Sequence, residues 1–131
     1  MALLLLDSSV IFDHLNGRHG RTEFLSSLVE QGHVLACCSV NITEVYAGLR
    51  ADEEEDTVIF LDSLECLPVT PEIARRAGLL RRDWLKKGQT LSYSDVTIAA
   101  VALDYGVPLL TDNRKHFPMQ ELQLLPLPER N

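Results

Sequence analysis

The stretch ALLLLDSS (residues 2–9) decides how the rest of the chain is read. Four successive leucines, residues 3–6, stop on a carboxylate, Asp7. A short run that is apolar at every position suits a buried parallel strand, covered by helices on both faces. Its last residue then stands at the rim of a sheet.

The chain outward from this strand repeats the pattern. Ser8 or Ser9 can cap the helix VIFDHLN, which Gly17 stops, and RTEFLSSLVEQG reads as a second helix ending at Gly32. VLACC (residues 34–38) is the next strand, Ser39 caps VNITEVYAGLR, and the acidic run leads into the helix TVIFLDSL. ECLPV (residues 65–69) is a third strand. Pro71 suits the first turn of a long helix in which Ile73, Ala77, Leu80 and Trp84 share one face. LSYSDVTIAAVALDYG is a further helix closed by Gly106, followed by the strands VPLLT and LQLLPL. Alternation of strands and helices along the chain predicts an α/β protein, a three-layer α/β/α fold with a mostly parallel central sheet.

Composition sets limits. With 46% hydrophobic and 24% charged residues in 131, the chain has enough apolar matter for one core, and residues 1–131 are expected to form a single domain. No apolar run is long enough to span a bilayer, and residues 3–6 lack the basic start and cleavage site of a secretory signal, so a cytoplasmic protein without membrane contact is expected. Cys37, Cys38 and Cys66 form neither a disulfide framework nor a zinc pattern and read as reduced core residues. The formal charge of −7 argues against nucleic-acid binding by bulk electrostatics, but five of the 19 acids lie in one run, residues 52–56. Half of the 12 Lys and Arg fall on one helix, among them Arg75, Arg82 and Lys86. That helix is either a solvated face or a rail for an RNA backbone.

Ligands of open α/β sheets bind outside the carboxyl ends of the strands. Asp7 lies there, as does the triplet Thr111, Asp112 and Asn113 after VPLLT. Glu44 is one turn into the helix after VLACC, and Asp95 begins DVTIAAVA. Converging carboxylates repel, and a divalent cation removes the conflict; oxygen donors favour Mg²⁺, with Mn²⁺ as the alternative. Hydrolysis of a phosphodiester is the inferred chemistry. Each residue also has a plainer role: Asp7 as a helix cap, Asp95 at a helix dipole, Asp112 and Asn113 in a turn. Glu44, inside a mostly apolar helix, calls for a partner. The four histidines show no metal-ligand spacing, and GxSxG, GxGxxG and P-loop motifs do not occur. A phosphoaspartate reading of Asp7 lacks the second acid of a DxD motif and a well-placed lysine.

Three segments, LLLLDSSVIFDHL, SVNITEVYAGL and LSYSDVTIAAVALDYGVPLLTDNRKHF, together resemble the PIN-domain ribonucleases and, within them, the VapC toxins of toxin–antitoxin pairs. The resemblance implies that Asp7, Glu44 and Asp95 are the acids of a metal site, with Asp7 and Asp95 as direct ligands. By its spacing to Phe117, the fourth position is Asn113, with Asp112 beside it; Asn brings no charge for a second metal. Ser9 and Thr111 are expected to orient the carboxylates. The implied function is a Mg²⁺-dependent endoribonuclease toxin cutting single-stranded or looped RNA, with tRNA or rRNA as target. Arg75, Arg82, Lys86, Arg114 and Lys115 are the candidates for holding the RNA backbone. The implied partners are a VapB-like antitoxin, laying a helix in an apolar groove and extending an Arg towards the acids, and a second copy of the chain. The apolar residues of the two helices between Arg21 and Leu64 are candidates for the dimer surface. The alternative is a degenerate PIN module that binds RNA or a protein without cutting, a reading that Asn113 favours.

Overall fold

The computed structural model describes residues 2–128. Five parallel strands, β1 (Leu3–Leu6), β2 (Val34–Cys38), β3 (Glu65–Leu67), β4 (Leu109–Leu110) and β5 (Leu124–Leu125), form one sheet in the order β3-β2-β1-β4-β5. Six α-helices cover it: α1 (Ser8–Leu15), α2 (Arg21–Glu30), α3 (Ser39–Ala47), α4 (Glu54–Asp62), α5 (Pro71–Lys86) and α6 (Tyr93–Tyr105). Among the described residues no helix is long and apolar enough to cross a membrane.

The leucine run occupies the middle strand. Successive side chains on a strand point to opposite faces, so Leu5 joins Ala36, Cys38 and Leu109 against α5 and α6. Leu4 and Leu6 join Leu35, Cys37 and Leu110 against α1, α2 and α4. Burial on both sides explains why β1 shows no polar alternation. Helix α6 lies between the sheet and α5, with Val96, Ile98 and residues 99–102 all buried, which is why its sequence is apolar around nearly its whole girth. Helix α5 buries Ile73 and Ala77 and leaves Arg75, Arg76 and Arg82 exposed.

Several boundaries differ from those read in the sequence. The cap of α1 is Asp7 itself, and that of α3 is Cys38, whose N–H is received by the Asn41 side chain. Strands β3, β4 and β5 are shorter than the apolar runs containing them, because ladder pairing extends only as far as a neighbour is present. The acidic run enters structure rather than preceding it: Glu54, Glu55 and Asp56 form the first turn of α4, where the helix dipole favours negative charge. Cys37 and Cys38 are core residues, and burial pushes the Cys37 thiol up to about 12. Cys66, expected in the core, is exposed, because β3 is an edge strand.

Leu5 is fully buried at the centre of this sheet. The substitution Leu5→Ala is expected to lower the unfolding free energy by about 3 kcal/mol, measured by urea denaturation. A loss under about 1 kcal/mol would show that the middle strand is not the packed centre of the fold.

Candidate active site

The chain winds from β1 outward to β3, then returns to place β4 on the other side of β1. The sheet therefore reverses its winding between β1 and β4, and the crevice at the carboxyl ends of those strands is where such folds bind ligands. Asp7 follows β1 at this point, and its N–H donates to the Leu110 carbonyl at 2.9 Å. Only 4% of Asp7 is exposed. Its Oδ1 accepts from the Ser8 N–H at 2.8 Å, and its Oδ2 accepts from the hydroxyls of Ser9 at 2.9 Å and Thr111 at 2.7 Å. The carboxylate thus caps α1 and is also held by Thr111 from the end of β4, so the plain and the functional readings of Asp7 describe one residue.

Glu44 reaches the same place from α3. Its Oε1 accepts from the Ser8 hydroxyl at 2.8 Å. Burial raises the pKa of Glu44, and the charges of Asp7 and Asp95 add to that rise. Asp95 sits in the first turn of α6, where Ser92 caps the helix by accepting the Asp95 N–H at 3.0 Å. Burial raises the pKa of Asp95 too, with Asp7 contributing, while Ser92 and His116 act the other way. His116 Nδ1 lies 3.2 Å from Asp95 Oδ2. Folding therefore brings Asp7, Glu44 and Asp95 from three separate segments into mutual electrostatic reach.

These carboxylates present hard oxygen donors, the chemistry that Mg²⁺ and Mn²⁺ select. Among the described residues, however, no three His, Cys, Asp or Glu side chains are gathered closely enough to hold an ion as they stand. Repulsion between like charges opposes closer approach, and a divalent cation between them would reverse that balance. The donor set fits; closure of the side chains around an ion would have to accompany binding.

Residues 4–120 match the PIN domain family. The chain belongs to the PIN-domain family. Ribonuclease VapC10 of Mycobacterium tuberculosis is 36% identical over 124 residues, which is 95% of this chain and 92% of that protein. Two solved structures share the fold. VapBC2 from Rickettsia felis, bound to a DNA fragment from its promoter, matches with a TM-score of 0.83 at 22% identity, over 94% of this chain and 97% of that one. VapBC-5 from Mycobacterium tuberculosis, a member of the VapBC family of toxin–antitoxin systems, matches with a TM-score of 0.67 at 23% identity, over 97% of this chain and all of that one.

Asn113 and Asp112, the two residues expected at the fourth acidic position, have different surroundings. Asn113 is exposed, and its N–H donates to Thr111 Oγ1 at 3.0 Å. Asp112 donates its N–H towards Ser9 Oγ at 3.4 Å and lies 3.6 Å from Nη2 of Arg21, a residue with no exposed surface. Arg21 also faces Asp13 at 3.7 Å and donates to the carbonyls of His19 and Pro128, both at 3.2 Å. Asp112 is thus engaged with a buried cation beside the acid cluster.

Three contributors, Asn41, His116 and Arg21, are not among the residues expected from the sequence. Asn41 is fully buried, accepts from Cys38 N–H and donates from Nδ2 to Ser8 Oγ at 2.9 Å. Because Asn41 occupies an acceptor site on Ser8, the single hydroxyl proton of Ser8 is free to go to Glu44. An Asn between the apolar residues Val40 and Ile42 was the available signal. His116 and Arg21 gave none, since lone histidines are common and arginines are seldom fully buried. Among the RNA candidates, Arg114 and Lys115 lie exposed on the turn after Asn113, and Gln89 Nε2 donates to the Lys115 carbonyl at 3.3 Å, tying the end of α5 to that turn. Arg82 and Lys86 occupy the last turns of α5, whereas Arg75 lies eleven residues before Lys86, about 16 Å along the helix.

For Glu44 the folded pKa is above the unfolded one, so its charge weakens the fold at neutral pH. That penalty fades as pH falls through the raised pKa and is gone below the ordinary carboxylate range. Glu44→Gln, which keeps the acceptor for Ser8, is therefore expected to raise the melting temperature of ion-free protein by a few degrees at pH 7.5. The gain should shrink on acidification; a melting series in EDTA that shows no gain at any pH would contradict the buried-charge account.

Proposed function

We propose that this PIN domain is a Mg²⁺- or Mn²⁺-dependent endoribonuclease, the toxin of a toxin–antitoxin pair, cutting single-stranded or looped RNA of the tRNA or rRNA class. One observation carries the reading: in a relative of VapC ribonucleases, Asp7, Glu44 and Asp95 meet at the winding reversal of the sheet with their charges coupled. An ion held by Asp7, Glu44 and Asp95 would supply Lewis acidity, polarising the phosphoryl group and offsetting charge in the transition state.

The chain's own residues do the rest. Ser9 and Thr111 hold Asp7 in one orientation, and the Asn41–Ser8 pair does the same for Glu44. Positioning matters because a carboxylate free to rotate must be ordered again at each turnover. Arg114 and Lys115, on the turn whose His116 faces Asp95, are the proposed backbone contacts, with Arg82 and Lys86 on the helix linked to that turn through Gln89. Unstacked RNA suits such a site, since its phosphates and base edges are accessible.

The same reading pairs the chain with a VapB-like antitoxin and with a second copy of itself. A cleft of about 420 Å³ lined by Leu25, Val29, Leu35 and Phe60, which includes residues expected from the sequence at the dimer surface, is assigned instead to the antitoxin helix.

The experiment compares the chain with its Asp7→Asn variant on an RNA pool, with Mg²⁺ and with EDTA. Outer partners of metal ligands are worth about 10–100-fold, so losing the carboxylate is expected to cost more than about a hundredfold. EDTA should abolish cutting by the unaltered chain. Equal cleavage by both proteins would trace the activity to a contaminant, while RNA binding without any cleavage would favour the degenerate module. Replacing Arg114 and Lys115 by Ala is expected to weaken RNA binding and flatten the log–log salt slope by about 1.4; an unchanged slope would remove them from the interface.

A further inference from the structure

We propose that the open face of Tyr93 is a stacking platform for an unpaired RNA base flanking the cut, an inference that rests on the ribonuclease reading. Tyr93 is 73% exposed, more than any other large apolar side chain among the described residues. A tyrosine so exposed contributes little core burial, and its environment is nevertheless ordered. It opens α6, directly after the capping residue Ser92, and its carbonyl accepts from Thr97 Oγ1 at 2.7 Å. The guanidinium of Arg81 lies 4.3 Å from the ring centroid, and Arg81 Nε is anchored by donation to the Leu91 carbonyl at 2.8 Å. One face of the ring is backed by a pinned cation, and the large remaining exposure leaves the ring available to a planar ligand.

Location supplies the ligand class. Tyr93 is two residues before Asp95, and Ser94 between them lies near enough to Glu44 to lower its pKa slightly against the rise from burial. Arg82 and Lys86 follow Arg81 on α5, whose end is tied through Gln89 to Lys115. Cations along a backbone path with an aromatic face beside them are the two elements by which proteins hold single strands, the ring accepting any base because every base has a π face. A base on Tyr93 would have its phosphates among these cations, one helix end away from the acid cluster.

The test uses full-length chain carrying Asp7→Asn, so that RNA stays intact, and a fluorescein-labelled mixed-sequence RNA decamer read by anisotropy at several salt concentrations. Adding Tyr93→Ala is expected to weaken binding about tenfold, with the salt slope and melting temperature unchanged, because stacking releases no counterions. Tyr93→Trp should keep the parental affinity. In the chain with Asp7 intact, Tyr93→Ala should raise KM and leave kcat nearly unaltered. Parental affinity in the Tyr93→Ala protein overturns the platform alone, as does equal loss with Trp, or a loss matched by a lower melting temperature. A chain with Asp7 intact that neither binds nor cuts the decamer overturns the ribonuclease reading and the platform together.

Discussion

The hydrogen bond from the Asp7 N–H to the Leu110 carbonyl joins the two halves of this molecule. It continues the parallel pairing of β1 with β4 and sets the end of the leucine strand beside Thr111. Parallel neighbours require a crossover, here the whole chain from α1 to α6, so a single register places residues more than a hundred positions apart in one pocket. If β4 slipped by one residue, its side chains would exchange faces and the Thr111 hydroxyl would leave Asp7. The packing of Leu4, Leu5 and Leu6 in two separate core layers guards against that slip.

The site is costly to the fold that builds it. Glu44 and Asp95 are carboxyl groups placed where burial and like charge both disfavour ionisation. A protein selected for stability alone would have amides there. The proposed divalent cation would offset this like-charge cost. Around them, directionality comes from neutral partners: an amide, two serines and a threonine, which orient carboxylates without bringing competing charge.

Arg21 shows a second strategy. Its side chain, fully buried, lies between Asp13 and Asp112 and reaches the carbonyl of Pro128. The negative charge after β4 is thereby balanced from within the protein, while Asn113 next to it is neutral. The electrostatic burden of the pocket therefore falls on three acids rather than four.

Much of this was legible in the residues. The leucine run named the central strand because only double-sided burial removes polar alternation, and the alternation of apolar runs with capped helical patterns named the three layers. The acids at strand ends named the crevice, since side-chain chemistry and local periodicity are properties of short segments. Ser9 and Thr111 were expected as partners of the carboxylates from the resemblance, and both bond to Asp7, but the other partners of the acids were not legible. That Asn41 faces Ser8, that Arg21 is buried against Asp112 and that His116 touches Asp95 depend on distances across the sheet and between helices. No local pattern encodes them. They are settled when the order β3-β2-β1-β4-β5 closes, because only then do residues remote in the chain share a dielectric environment and compete for the same protons.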